Sequence, residues 1–177
     1  MITKWYKEIL KYLPISMQNM SYGPQIKMID GTTVHVFSRG DTSSLPWLSK
    51  NFYPHTSYGD GFRVGTGTTQ PTEQDYSLES VITSGLSGSV TGSSNRNADG
   101  NIDTTFQITL SNTSSAAITV GEIGYYGKQS CYATEGGASS SLFVMYHRAV
   151  LNSPVTINPG ESAIINFHVT AVESSAS

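Results

Sequence analysis

The stretch from Asn95 to Phe106 comes closest to a metal-binding pattern in this chain. Asn95, Asn97 and Asp99 occupy the first, third and fifth positions of a calcium-binding loop, and Gly100 occupies the sixth. The twelfth position, which requires a bidentate glutamate, is Phe106. We therefore expect no calcium affinity better than about millimolar. A polar turn before a strand is the simpler interpretation of the pattern.

Other patterns that support chemistry are incomplete in this sequence. Cys131 is the only cysteine, and the four histidines show no short ligand spacing, so zinc is not expected. Gly85–Ser89 lacks the closing glycine of a nucleophile elbow. Gly65–Thr69 lacks both the lysine of a phosphate loop and the third glycine of a dinucleotide turn.

Three carboxylates, Glu73, Asp75 and Glu79, are close enough in sequence to form an acid pair. Residues 72–84 also fit a short helix, and carboxylates at a helix start commonly interact with the helix dipole. No set of residues argues for catalysis. We expect the protein not to be an enzyme and to need neither a cofactor nor a metal.

The amino-acid composition excludes one class of function and favours one fold class. The chain has 177 residues, a formal net charge of −3 and only 13% charged residues, which excludes nucleic-acid binding by bulk electrostatics. The sequence is instead rich in Ser (26 residues), Thr (19) and Gly (17). Together with the β-branched and aromatic residues, this composition favours an all-β domain.

The N-terminal residues form the one clear amphipathic helix pattern, over 1–13, which Pro14 ends. Further large apolar side chains follow in an irregular stretch, where exposure to water is costly. We predict that these residues contact a neighbouring subunit; packing on the chain's own body is the alternative. The candidate interface residues are Trp5, Tyr6, Ile9, Leu10, Leu13, Trp47, Leu48, Phe52 and Tyr53.

Alternating apolar and polar residues predict the strands. Two short strands flank the turn signal Asp30-Gly31, and 85–100 and 127–140 are predicted to be loops or, for 85–100, a weak edge hairpin. Longer strands are predicted at 102–110, 117–126, 142–151 (a central strand) and 163–169. Phe106 and Phe167 are predicted to meet from facing sheets, and His168 to point outward.

These elements predict an antiparallel β-sandwich, immunoglobulin-like or jelly-roll-like, with an N-terminal helix and an extended arm. The predicted division is 1–57 for the helix and arm, 58–173 for the sandwich body and 174–177 for a frayed tail. No apolar run is long enough to span a bilayer, and lysines interrupt the apolar stretch that a secretion signal needs, so we expect neither element. With no disulfide possible within the chain, synthesis and folding in a cytoplasm are expected.

One family resemblance emerges from two parts of the chain. Gly61–Glu79 follows the pattern G-x-G-T-T-x-P-x-x-x-D-x-x-L-E, and Phe106–Asn112, Ile118–Tyr125 and Arg148–Glu161 follow in the same order. These segments resemble small structural proteins of tailed bacteriophages. The resemblance implies a virion component of the tail, neck or capsid surface, assembled in the host cytoplasm. It implies as partners copies of the chain and other virion proteins. The low charge and the lack of a bilayer-spanning apolar run separately predict that neither nucleic acid nor a membrane is a partner.

A carbohydrate-binding or host-adhesion module is the alternative interpretation. Tyr125, Tyr126, Tyr132 and Tyr146 lie on or near predicted strands and could stack on a sugar. Tyrosine is equally common in sheets and at protein interfaces. A glycan is the ligand that this alternative implies, and the sequence does not decide between the two interpretations.

Overall fold

The structure is a computed structural model that describes residues 1, 25–35, 52–53, 61–98, 101–132 and 139–171. These residues form eight strands, all antiparallel to their neighbours, and none of them forms a helix that could cross a membrane. The strands are β1 (Gln25–Lys27), β2 (Thr33–His35), β3 (Gly61–Gly65), β4 (Leu86–Arg96), β5 (Ile102–Asn112), β6 (Ile118–Tyr132), β7 (Ser139–Ile157) and β8 (Ser162–Ala171). The predicted helix at 1–13 lies outside the described residues, apart from Met1.

Two three-stranded antiparallel sheets make up the body. The front sheet has the order β4-β5-β8 and the back sheet has the order β3-β6-β7. Side chains from both sheets share one buried cluster, so the predicted all-β, sandwich-like architecture is confirmed in this form. The turn at Asn158–Glu161 carries the chain from the back sheet to the front sheet. Gly160 has φ = 76° there, as the second central position of a type II turn requires.

An aromatic cluster occupies the space between the sheets. The Phe62 ring, which is fully buried, lies 5.1 Å from the Phe106 ring, 4.8 Å from Tyr125 and 5.2 Å from Phe167. Such tilted ring contacts add stability beyond the burial of area alone. His147 closes the cluster, its ring edge-on to Phe167 at 4.8 Å, and burial lowers the pKa of His147 to about 4.

The predicted pairing of Phe106 with Phe167 across two sheets is wrong. Both residues face the core, but β5 and β8 are neighbours in the front sheet, where Phe106 lies opposite Phe167 and Ile108 opposite Ile165. Alternation identifies the buried face of each strand, but it carries no information about which strand lies beside it.

Three further predictions about local structure need correction. The 142–151 strand belongs to β7, which lies at the edge of the back sheet, while β6 is the central strand. Residues 72–84 form turns instead of a helix. The predicted loop at 127–140 is wrong at both ends, because β6 continues to Tyr132 and β7 begins at Ser139. For 85–100 the hairpin alternative is confirmed, since β4 pairs with β5 there.

The outer face of the back sheet is also covered. Leu78 and Val81, from the segment between β3 and β4, pack there with Tyr126 and Met145, and Ile29 of the β1–β2 turn joins them. We call residues 66–80 the covering segment. The β1–β2 hairpin confirms the Asp30-Gly31 turn signal, with Gly31 at φ = 85°.

Candidate functional site

Two oppositely charged side chains lie buried on the outer face of the back sheet. Glu122 on β6 has none of its surface exposed, and Arg148 on the adjacent β7 has 4%. Arg148 Nε donates a hydrogen bond to Glu122 Oε2 over 2.8 Å. A buried charge is very costly unless it is paired, so these two residues depend on each other.

The covering segment provides two more carboxylates to Arg148. Its Nη1 donates to Asp75 Oδ2 over 2.7 Å, and its Nη2 lies 3.5 Å from Glu79 Oε2. One guanidinium therefore joins the covering segment to two strands of the back sheet. We call Arg148, Glu122, Asp75 and Glu79 the clasp.

Glu122 holds the covering segment by its backbone as well. Its carboxylate accepts hydrogen bonds from the amides of Gly67 (3.2 Å), Glu79 (3.1 Å) and Ser80 (2.8 Å). A carboxylate with this many donors has its charge well compensated even without water.

Glycine at positions 65 and 67 permits this close approach. A Cβ at Gly65 would lie 2.4 Å from the Ser80 carbonyl oxygen and from Glu122 Oε1, and one at Gly67 would lie 2.6 Å from the same Oε1. These distances are far inside van der Waals contact. The two glycines of the G-x-G pattern therefore allow the Glu122 carboxylate to pack closely against this backbone.

Short hydrogen-bonded turns hold the two acids of the covering segment in place. Glu79 accepts from the amides of Thr68 (3.2 Å) and Thr69 (3.0 Å) and from the Thr69 hydroxyl. Asp75 accepts from the Thr72 amide (3.0 Å) and the Thr72 hydroxyl (2.7 Å). The prediction that these acids interact with a helix dipole is wrong, because the segment has no helix. The acids meet at Arg148 instead.

The pKa values follow from these contacts. Burial raises the pKa of Asp75, but the Thr72 amide and Arg148 lower it further, so it lies below its ordinary value of 3.8. The Thr69 amide and hydroxyl lower the pKa of Glu79 below 4.5. Burial lowers the pKa of Arg148, and its hydrogen bonds to Asp75 and Glu122 reverse the effect and raise it. These three groups are therefore charged at neutral pH.

The stability that the clasp provides should decrease in acid. Because Asp75 and Glu79 have lowered pKa values in the folded protein, their contribution is complete above the ordinary values and is lost as the pH falls below about 4.5. Asp75→Asn should reduce the free energy of unfolding by about 1–2 kcal/mol at pH 7 and flatten this acid limb. Urea unfolding between pH 7 and pH 3 measures both effects.

A matched variant separates the clasp from general acid denaturation. Glu161→Gln removes an exposed carboxylate of the β7–β8 turn that lies outside the clasp, so it shows the effect of losing a carboxylate elsewhere on the surface. His147 adds its own loss of stability between its ordinary pKa of 6.5 and about 4, and this part should persist in Asp75→Asn. Equal slopes below pH 4.5 in Asp75→Asn and wild type would contradict the assignment.

A cavity of about 400 Å³ opens beside the clasp. It is lined by Thr69, Gln74, Asp75, Tyr76, Ser77, Leu78, Glu79 and Arg148. Tyr76 is covered on one face by Lys27, whose Nζ lies 4.0 Å from the ring centre. Carboxylates held ionised by an arginine are poor general acids. The arrangement fastens the covering segment to the back sheet.

Glu122 and Arg148 were absent from the candidate residues predicted from sequence, although both lie inside segments of the family resemblance. The available signal was one Asp, Glu, Lys or Arg residue in each of two mostly apolar segments, residues 118–126 and 142–151. Such a residue is either on an exposed face or paired in the interior. Sequence alone could not show that the two are partners.

In its described part, the stretch from Asn95 to Phe106 forms a turn whose side chains hydrogen-bond within the turn. Asn97 Nδ2 donates to Asp103 Oδ2 over 3.0 Å, and the Thr170 hydroxyl donates to Asp103 Oδ1 over 2.7 Å. Asn97 Oδ1 accepts from the Asn101 amide. Asp99 and Gly100 lie outside the described residues. No three His, Cys, Asp or Glu side chains cluster as metal ligands in the described part of the chain.

The predicted tyrosine platform is wrong for three of its four members. Tyr125, Tyr126 and Tyr146 are at most 4% exposed, so none presents an open ring to a sugar. Tyr126 Oη accepts from the Leu78 amide over 3.0 Å, and burial raises the pKa of this phenol to about 12. The side chain of Tyr132 lies outside the described residues.

Two of the nine candidate interface residues are described, and both contact the body. Phe52 is half-buried against the core and forms a parallel bridge with Phe62, and the Tyr53 amide donates to the Phe62 carbonyl over 3.0 Å. The other seven lie outside the described residues. The interface and the division at residue 57 stay predictions.

Comparisons with known proteins do not extend this description. No protein-family model matches the chain, and searches of curated proteins and of solved structures return no significant match.

Proposed function

We propose that the chain is a structural component of a tailed bacteriophage virion that assembles through protein–protein contacts without catalysis. Its place would be the tail, the neck or the capsid surface, and its body would be an immunoglobulin-like or jelly-roll-like sandwich. The proposal rests on the resemblance of the Gly61–Glu79 segment and on what this segment does in the structure.

The observation that carries the proposal is the structural use of this motif. Gly65 and Gly67 make room for Glu122, Thr69 binds Glu79, and Asp75 and Glu79 bind Arg148. Leu78 of the same motif is buried against Tyr126 and Met145. A motif used to hold a covering segment on a sheet suits a rigid building block better than a reaction centre.

The surface chemistry supports assembly as well. The outward side of the front sheet carries Ser, Thr, Asn and Gln in the strand positions of β4, β5 and β8, with little charge. Burying uncharged hydroxyl and amide groups in an interface costs less free energy than burying the charged groups of Lys or Glu side chains.

The sugar-binding alternative has less support than it had from sequence alone. Its aromatic platform is mostly buried, and Tyr76 at the cavity is covered on one face by Lys27. Tight glycan binding by a monomeric chain is therefore kept as one outcome of the experiment below.

The experiment measures the mass of the purified full chain by sedimentation velocity over a range of concentrations. We expect a stable oligomer, and Trp5→Glu/Leu10→Glu, on the apolar side of the predicted helix, should weaken it about tenfold or more. Lys4→Glu/Lys7→Glu places the same residue type on the polar side of that helix and serves as the matched control. A chain that stays monomeric at every concentration and binds glycans tightly on an array would contradict the proposal.

A further inference from the structure

β8 forms one edge of the front sheet. β8 pairs with β5 through ten consecutive residue pairs, from Ser111↔Ser162 to Ile102↔Ala171, with no bulge. On its other side no strand lies beside it among the described residues. A regular strand of this length presents a row of N–H and C=O groups that can pair with another chain.

The sequence of β8 contains none of the usual protection. Its ten residues, SAIINFHVTA, include no Lys, Arg, Asp or Glu and neither Pro nor Gly. Natural edge strands are commonly protected by lysine, proline or a bulge, or by a covering segment. An uncharged segment of high β-propensity is the type of sequence that pairs with other chains.

The other edges differ from β8 in the described part of the chain. β3 is contacted by Tyr53, whose amide bonds Phe62, and by Ile82, whose amide bonds the Val64 carbonyl. The edge of β7 is contacted by Ile29, whose amide donates to the Phe143 carbonyl over 3.4 Å.

β4, at the opposite edge of the front sheet, contains glycines that β8 lacks. It contains Gly88 and Gly92 and ends at Arg96, and the Phe52 ring lies against Gly88. Glycine weakens a strand as a template for pairing, because it contributes no side chain to the new contact.

Exposed apolar surface adjoins the β8 edge. Ile164, on the outward face, is 57% exposed, the largest value among the described large hydrophobic residues. A further strand beside β8 would cover part of Ile164 while its backbone pairs with the edge.

We propose that β8 pairs in antiparallel orientation with β8 of a second copy of this chain, about a two-fold axis. The two three-stranded front sheets would then join into one six-stranded sheet across the dimer. Because β8 has no charged residue, pairing with itself brings no like charges together, and this favours a second copy as the partner. The inference rests on the proposed function, assembly of identical chains, and assigns that assembly a surface.

Lysines on the exposed positions of β8 test the proposal in the full chain. Ile164→Lys/Asn166→Lys changes two exposed residues that make no side-chain hydrogen bond in the described structure, so folding should be retained. Across a two-fold axis the lysines would face each other, and self-association through β8 should weaken about tenfold or more. Sedimentation velocity gives the association constant, and circular dichroism confirms folding.

The matched control is Ser89→Lys/Thr91→Lys on β4. These positions occupy the same two rows of the front sheet, since Thr109 lies between Ser89 and Ile164 and Gln107 lies between Thr91 and Asn166. The β4 variant should associate like the wild type. An equimolar mixture of the β8 lysine variant with Ile164→Glu/Asn166→Glu should restore association, because opposite charges then meet.

The outcomes distinguish this inference from the proposed function. If the β8 variant keeps the wild-type mass while Trp5→Glu/Leu10→Glu loses it, assembly stands and the β8 contact is overturned. Equal weakening by the β4 and β8 variants, or a lysine–glutamate mixture that stays dissociated, also overturns the β8 contact. A monomeric wild-type chain overturns both.

Discussion

Arg148→Ala is expected to lower the free energy of unfolding by about 3–5 kcal/mol, close to the full stability of many small domains. The substitution leaves Glu122, with none of its surface exposed, as a buried charge without its cation. Asp75 and Glu79 lose the group that holds them to the back sheet. Denaturant unfolding followed by circular dichroism measures the loss.

Two further variants test whether the loss of stability arises from the buried pair of Arg148 and Glu122. Arg96→Ala removes an exposed arginine and should change stability by no more than about 0.5 kcal/mol. Arg148→Ala/Glu122→Gln should be less destabilised than the sum of the two single variants, because the neutral amide no longer leaves a charge uncompensated. Additive single effects would show that the two side chains are not coupled.

Amide hydrogen exchange shows which part of the chain is destabilised when the clasp is lost. The amides of Gly67 and Ser80 donate to Glu122, so loss of the clasp should expose them to exchange earlier than the amides of β5, which pair on both sides within the front sheet. Exchange that accelerates equally in both regions would argue against a clasp that holds the covering segment locally.

Phe62→Ala is expected to destabilise the protein by a comparable amount, about 3–5 kcal/mol. Phe62 is fully buried and its ring touches Phe106, Tyr125 and Phe167, so the cavity that its loss creates lies between the two sheets. The cost arises from lost apolar transfer and from lost dispersion contacts around that cavity. Thermal and urea unfolding provide the measurement.

Phe62→Leu is the graded control for this prediction. It retains much of the buried volume and should cost less than about 2 kcal/mol. A substitution at exposed Ile164, such as Ile164→Ala, removes apolar atoms outside the core and should cost less than either. If Phe62→Ala unfolds at the wild-type urea concentration, the aromatic cluster does not stabilise the contact between the sheets.

Several features of this protein are determined locally, and the sequence alone predicts them. Asp30-Gly31 and Asn158–Glu161 form the expected turns, because their glycines adopt φ values of 85° and 76° that side chains rarely allow. Alternation in β5 and β8 correctly predicts that Phe106, Ile108, Ile165 and Phe167 are buried, whereas Ile102 of the same pattern is 40% exposed. In both cases the deciding interactions act between residues close together in the chain.

Only the tertiary structure determined which strands are neighbours and which charges meet. Phe106 and Phe167 share a sheet because the β7–β8 turn crosses from one sheet to the other, and alternation is the same whether a neighbour lies beside or opposite. Arg148 lies 26 residues from Glu122 and 73 from Asp75. The energy of this cluster depends on removing all its charges from water together, and no local pattern along the chain encodes that requirement.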